Sequence, residues 1–174
     1  MSQSLVITAI GSDRHGIVNA LTEILLDANL NIQDSRMSIL GGEFAMIILA
    51  SGDQASINRI IASKDEMEHA LNLSLLIKPT SGNKAASSQQ HYKIDVEGMD
   101  NPGIVHKLAR YLSQQQINII NMQTDCIHAA HTGTPMFSVA MQVDIPADRD
   151  INLIRDEFGK VCDELNMDVS FKAK

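Results

Sequence analysis

The stretch SDRHGIV at residues 12–18 decides the fold, because it recurs as MDNPGIV at residues 99–105. The offset of 87 positions persists downstream, where Asn31-Ile32 corresponds to Asn118-Ile119. Self-similarity at a fixed spacing indicates a duplicated module, and this one contains a glycine turn that joins a strand to a helix. The sequence therefore predicts two copies of one small domain.

Hydrophobic periodicity predicts the order β-α-β-β-α-β in each copy. In the first copy the expected strands are residues 5–10, 31–39, 43–51 and 73–78, closed by Pro79. A helix is expected from Gly16 until Asn29, and a second over residues 57–71 with a break near Ser63. In the second copy the expected strands are residues 92–97, 118–128, 135–145 and 167–171, with helices from Ile104 and over 150–165. This is the split βαβ pattern of an α+β, ferredoxin-like fold, which places both helices on one sheet face.

The two predicted domains are residues 1–80 and 91–174, joined by a linker at 81–90. The linker sequence SGNKAASSQQ has no apolar residue larger than alanine and no periodicity. Such a composition is typical of a flexible connection.

Composition limits the class of protein. The formal net charge is −7 and no basic stripe is present, which argues against direct binding of nucleic acid. Two cysteines are too few for a disulfide framework and fit a reducing cytosol. No apolar run approaches about 18 residues, and the first residues lack the pattern of a signal peptide, so we expect a cytoplasmic protein without membrane contact.

The third predicted strand is apolar on both faces. Phe44, Met46 and Ile48 alternate with Ala45, Ile47 and Leu49. We therefore expect the first sheet to be extended or covered by another sheet, from the other half or from another chain, and we expect a homo-oligomer. The alternative is a central strand with an ordinary, partly apolar outer face.

The repeated turn predicts a binding site for a small zwitterion. Gly16 and Gly103 allow a sharp turn and close approach, and the free amides at the helix start favour a carboxylate. Asp13 or Asp100 could accept an ammonium group. Asn31 and Asn118, which can donate and accept, are expected at the sheet edge near the turn. The alternative is that the aspartates only cap the helices and the glycines only serve the turns.

Other chemistry has weaker support in the sequence. Cys126, His128 and His131 are possible zinc ligands, but a fourth ligand is missing nearby. No nucleophile, nucleotide-binding or phosphate-binding motif is present. We therefore predict a non-enzymatic protein without cofactor or metal. The insertion between His128 and Pro135 is either a partner contact or a neutral loop extension.

The motifs D-R-x-G-I-V and D-x-P-G-I-V, each followed by an amphipathic helix and N-I, resemble the ACT domain over both halves. ACT domains are regulatory ferredoxin-like modules that bind amino acids where two domains meet. The resemblance implies ligand-binding roles for a set of positions in the two turns and second strands: Asp13, Arg14, His15, Gly16, Asn31, Asp100, Asn101, Gly103 and Asn118. His15 departs from the family pattern, which has proline there.

A tandem of two ACT domains without an attached enzyme resembles the transcriptional repressors in this family. That resemblance implies a regulator that senses glycine and restrains a LysR-type transcriptional activator by protein contact. Two other functions remain open at this point. One is a detached regulatory subunit of an amino-acid metabolic enzyme, and the other is a structural dimerisation module.

Overall fold

The computed structural model describes residues 3–81, 89–128 and 133–173. The chain divides into two compact units, Met1–Lys84 and Ala85–Lys174. Most of the predicted linker and the tip of the insertion, including His131, lie outside the described residues.

Unit 1 is one four-stranded antiparallel sheet with three helices. Its elements are β1 (Gln3–Ser12), α1 (Ile17–Asp27), β2 (Asn31–Leu40), β3 (Glu43–Gly52), α2 (Gln54–Ala62), α3 (Lys64–Leu71) and β4 (Ser74–Thr80). The strand order is β2-β3-β1-β4, so β2 and β4 are the two edges.

Unit 2 repeats this arrangement with a single second helix. Its elements are β5 (Gln89–Met99), α4 (Ile104–Gln114), β6 (Asn118–His128), β7 (Pro135–Pro146), α5 (Ile151–Glu164) and β8 (Met167–Ala173). The strand order β6-β7-β5-β8 matches that of unit 1. The predicted α+β class and the ferredoxin-like order in both halves are confirmed.

Local signals explain where the elements of unit 1 end. After α1, Asn29 adopts a left-handed backbone at φ 56°, which asparagine tolerates better than most residues. Gly41 and Gly42 have φ 61° and 86° and turn the chain between β2 and β3. The predicted break near Ser63 is present, because α2 ends at Ala62 and α3 begins at Lys64.

Each unit has its own core between the helices and one face of the sheet. The core side chains of β1 alternate along the strand, and Leu5, Ile7 and Ala9 are fully buried. Leu21 and Leu25 of α1 meet them from the helix layer. In unit 2 the same layer is filled by Ile94, Val96, Leu108, Leu112, Val143 and Phe158.

Several strands are longer than predicted, β1 and β8 by two residues or more, and two of the differences have a clear structural reason. Pro79 does not close β4, since it pairs with Leu5 and the strand continues to Thr80. A proline is tolerated there because β4 is an edge strand, whose outward side donates no ladder hydrogen bond. Strand β5 begins inside the predicted linker, at Gln89, and Gln90 pairs with Ile145.

Within the described residues, no helix is long and apolar enough to cross a membrane. Both cysteines are free thiols; Cys126 is exposed and Cys162 is buried in the core of unit 2.

Candidate functional site

The turn after the first strand has the same geometry in both units. Gly16 and Gly103 lie at the helix N-cap with φ 83° and 86°, and a Cβ on either would meet no atom within 4 Å. These residues therefore need glycine for the backbone conformation and face open space. The turn residues from Asp13 to Gly16 are exposed, as are those from Asp100 to Gly103.

Backbone hydrogen bonds fix each turn against the neighbouring strands. The Asp13 amide donates to the Gly42 carbonyl at 2.9 Å, and the Asp100 amide donates to the Pro135 carbonyl at 3.1 Å. In each unit the turn is therefore held at the end of the sheet where the chain passes from β2 to β3, or from β6 to β7. Neither carbonyl partner was anticipated from the sequence, although the Gly41-Gly42 pair already placed a tight turn at this end.

Asp13 and Asp100 do not cap the helices that follow them. Neither α1 nor α4 receives a side-chain cap, and neither has an acidic residue in its first turn. The same chain does use aspartate caps elsewhere. Asp53 accepts from the Ser56 amide at 2.7 Å at the start of α2, and Asp150 accepts from the Asn152 amide at 2.9 Å at the start of α5.

This contrast argues against a capping role for Asp13 and Asp100. Capping is the usual role of aspartate before a helix, and the chain fulfils it at α2 and α5. At α1 and α4 the first amides are instead left to solvent or to a ligand, with the partial positive charge of the helix N-terminus behind them. The turns therefore have the donor arrangement that a carboxylate requires.

The neighbouring side chains differ between the units. In unit 1, Arg14 donates from Nη2 to the Leu71 carbonyl at 2.9 Å, at the end of α3. In unit 2, Asn101 donates to the Met99 carbonyl at 3.2 Å, within its own turn. The guanidinium of Arg14 thus has a partner within its unit, which the sequence did not indicate.

His15 and Pro102 occupy equivalent positions without changing the turn. The following glycines differ by only a few degrees, at φ 83° and 86°. Proline presets its own φ, yet both copies have the same glycine conformation, and both turns are held by an equivalent backbone hydrogen bond.

Asn31 and Asn118 were expected near the turns, and this prediction is wrong within a single unit. Asn31 pairs with Ser51, at the end of β3 opposite to Glu43 and the turn. Eight residues of β3 separate these ends, which corresponds to about 25 Å. Asn118 likewise pairs with Asp144 at the far end of β7. The reason is the direction of the strand: α1 returns the chain to the sheet end where β1 began.

The metal hypothesis gains no support. Among the described residues, no group of three histidine, cysteine or acidic side chains could hold a metal ion. Cys126 lies 3.8 Å from Asp100 Oδ2. Desolvation, followed by the negative charge of Asp100, raises the pKa of the Cys126 thiol, which disfavours the thiolate that binds metals.

Comparison with known proteins extends over both units. The chain is 29% identical over 162 residues to the glycine cleavage system transcriptional repressor of Escherichia coli K12, covering 93% of this chain and 85% of the relative. The relative of the same name from Shigella flexneri matches equally.

A crystal structure of an unknown protein from Galdieria sulphuraria aligns over 100% of this chain and 99% of its own, with 27% identity and a TM-score of 0.84. A second crystal structure, provisionally described as a glycine cleavage system transcriptional repressor, aligns over 100% and 98% with 26% identity and a TM-score of 0.74. Residues 3–78 and 92–172 each match the ACT domain. The chain belongs to the ACT domain family and carries the domain twice.

Proposed function

We propose that this chain is a non-enzymatic regulator that binds a small amino acid, with glycine the first choice, and represses transcription of glycine cleavage genes by contacting an activator protein. The similarity to glycine cleavage system transcriptional repressors over 93% of the chain supports the regulatory role. The observation that carries amino-acid binding is the pair of uncapped helix starts at Gly16 and Gly103.

The turn chemistry fits a zwitterion with a small side chain. The carboxylate of the ligand would accept from the first amides of α1 or α4, where the helix charge is favourable. Its ammonium group would lie toward the carboxylate of Asp13 or Asp100, or toward a turn carbonyl. Close backbone approach is possible because both glycines face open space.

In this proposal, Asn31 and Asn118 contact a ligand held by the turn of a neighbouring ACT domain, not by the turn of their own domain. The edge strands β2 and β6 are exposed along nearly their whole length. In each unit the edge strand ends near the unit's own glycine turn. If two such edges pair antiparallel, the start of one edge strand lies beside the end of the other, and therefore near the turn of the other domain. An asparagine at the start of the neighbouring edge would then reach the ligand.

The proposed mechanism is a population shift. A ligand that bridges two ACT domains stabilises the arrangement in which they meet and thereby changes the surface presented to the activator. The size of the switch equals the difference in ligand affinity between the two arrangements. The proposed partner is an activator of the LysR type.

Calorimetry with glycine tests the binding step. We expect Asp100→Ala and Gly103→Asn to weaken glycine binding about tenfold or more, because a charge-assisted hydrogen bond contributes roughly 1.5–3 kcal/mol. Asparagine tolerates the left-handed backbone of Gly103 but fills the open space before α4. Asp150→Ala is the matched control, since it alters a capped helix start in the same unit. Unchanged glycine affinity in both test variants would exclude the turn of unit 2 as the site.

A thermal-shift series over the amino acids separates the proposal from its alternatives. A ligand that binds only the folded state raises the unfolding temperature. If no amino acid does so, the structural dimerisation module is favoured. Stoichiometric copurification with a metabolic enzyme, instead of a transcriptional activator, would favour the detached regulatory subunit.

A further inference from the structure

The outer face of the unit 1 sheet, opposite to the helices, is largely apolar. Its side chains come from alternate positions of β1, β3 and β4, between the buried core positions. Three of them are strongly exposed: Ile10 at 50%, Ile47 at 47% and Leu76 at 67%. Val6, Leu49 and the polar Thr8 lie between them and are partly exposed. Exposed apolar side chains grouped on one face mark an interaction site more often than a scattered exposed leucine does.

Unit 2 shows that this fold does not require an apolar outer face. Strand register gives the equivalent positions, and polar or small residues occupy them there. The pairs are Val6 and Lys93, Ile10 and Glu97, Ile47 and Ala140, Leu49 and Gln142, and Leu76 and Ser170. An antiparallel sheet with helices on one side can expose its other face to water, and unit 2 has the composition for it. The fold itself therefore does not account for the apolar face of unit 1.

One row of the unit 1 face carries opposite charges at its two ends. The strand register aligns Asp34, Leu49, Val6 and Lys78 in one row across the sheet. The row has a carboxylate at the β2 edge, an ammonium group at the β4 edge and apolar side chains between, and the carboxylate is also ion-paired with Arg36 of the same edge. Arg36 and the Ser35 amide both contact Oδ1 of Asp34.

The face has a depression of about 270 Å³ across its middle. Val6, Ile47 and Leu49 line it, with Asp34 and Arg36 on the β2 side and Thr80 on the β4 side. The most exposed apolar side chain of the face, Leu76, projects from β4. A face with a depression and a projecting side chain can complement itself in a two-fold pair.

We propose that this face binds the same face of a second copy of the chain, with the two-fold axis between the sheets and parallel to the strands. That symmetry places β2 of one copy over β4 of the other. Asp34 then faces Lys78 of the second copy within one row, and Leu76 lies over the rim and depression near Arg36 and Ile47. Two sheets packed in this way interdigitate their side chains about 10 Å apart. This interface does not include the turns, so the test of the interface is independent of the test of amino-acid binding.

Sedimentation of the full chain without ligand tests the interface. We expect the wild-type chain to dimerise and Leu76→Lys to weaken dimerisation by about tenfold or more, because a charge is then buried against an apolar surface. Ser170→Lys makes the same change at the equivalent position of unit 2 and should leave dimerisation unchanged. Leu76 is largely exposed, so circular dichroism should show both variants folded. A monomeric wild type, or equal dimerisation of Leu76→Lys, would overturn the proposal.

A charge exchange tests the symmetry itself. Asp34→Lys and Lys78→Glu each place like charges opposite one another in the proposed row, so each should weaken the dimer. The double variant Asp34→Lys/Lys78→Glu restores opposite charges across the interface and should recover most of the dimer affinity. A double variant that dimerises no better than the single variants would overturn the two-fold arrangement, and assembly would then use another surface.

Discussion

Arg14 donates a hydrogen bond to the carbonyl of Leu71, across the helix layer of unit 1, at 2.9 Å. Leu71 is the last residue of α3, where backbone carbonyls lack helical partners and carry partial negative charge. A cation is favourable there. The bond therefore connects the candidate binding turn to the end of α3, whereas Asn101, at the equivalent position of unit 2, bonds within its own turn.

Removing the Arg14 guanidinium should destabilise unit 1. We expect Arg14→Met to lower the free energy of unfolding of unit 1 by about 1 kcal/mol, in the range of a hydrogen bond in which one partner is charged but partly solvated. Hydrogen exchange should show faster exchange of amides in α3 of the ligand-free protein. Asn101→Ala is the control in unit 2, where the lost bond lies within the turn itself. Unchanged exchange in α3 would mean that the contact contributes nothing to stability.

The contrast between capped and uncapped helices gives a second prediction. Asp150 accepts from two amides at the start of α5, so Asp150→Ala should destabilise unit 2 by about 1 kcal/mol. Asp100→Ala should cost clearly less, since Asp100 accepts no amide of α4. Urea denaturation of the two variants, followed through amide exchange in unit 2, checks the difference. Equal destabilisation would indicate that Asp100 supports its helix after all.

Much of the fold could be predicted because the local signals agree with the tertiary structure. Apolar periodicity, the Gly41-Gly42 turn and the left-handed Asn29 each act within a few residues. The boundaries that failed depend on neighbours in space. Pro79 remains in β4 because β4 is an edge strand, and Gln89 joins β5 through pairing with β7. Neither condition is visible in a single window of sequence.

The candidate site was predictable in part. The repeated motif located both turns, and the fixed spacing of the repeat pointed to the two glycines. The error concerned Asn31 and Asn118, whose sheet edge was correct but whose end of the strand was not. A helix that crosses back over the sheet starts the next strand at the end where the first began, and applying that rule would have prevented the error.

The apolar character of the outer face of unit 1 was predicted from the two-sided strand at residues 43–50, but the polar character of the equivalent face of unit 2 was not. Comparing the repeat copies position by position would have shown that Leu76 corresponds to Ser170 and Val6 to Lys93. That comparison requires the strand register, because the offset between the copies changes after the insertion.

The pH dependence of unit 1 should depend in part on Glu68. The carboxylate accepts from the Leu75 amide at 2.6 Å and from Lys64 Nζ at 3.0 Å. These bonds, the amide first, lower the pKa of Glu68 below 4.5 in the folded state. The stabilisation is therefore fully present above the unfolded pKa and is lost as the pH falls through the folded one.

Glu68→Gln tests this assignment. The variant should be less stable than the wild type at neutral pH, and the difference should shrink as the pH is lowered below 4.5. Urea midpoints measured across this range provide the comparison. A difference that stays constant with pH would mean that the charge of Glu68 does not contribute to folding.

Gly98 shows where a glycine is required by contact and not by backbone angle. A Cβ at this position would lie 2.7 Å from the Asn166 carbonyl oxygen and 2.5 Å from the Met167 sulfur. The sulfur can move, but the carbonyl belongs to the turn that leads into β8. We expect Gly98→Ala to destabilise unit 2 by about 2–3 kcal/mol, because strand β8 must shift away from β5.

Gly159 is the matched control for this substitution. It lies within α5, and a Cβ there would meet no atom within 4 Å. Gly159→Ala should therefore stabilise unit 2 by about 0.5–1 kcal/mol, as alanine restricts the unfolded chain and favours the helix. Thermal unfolding of the two variants should shift in opposite directions. A Gly98→Ala variant as stable as the wild type would show that β8 moves aside freely, and that the close contact between β5 and the start of β8 is not a constraint on the sheet.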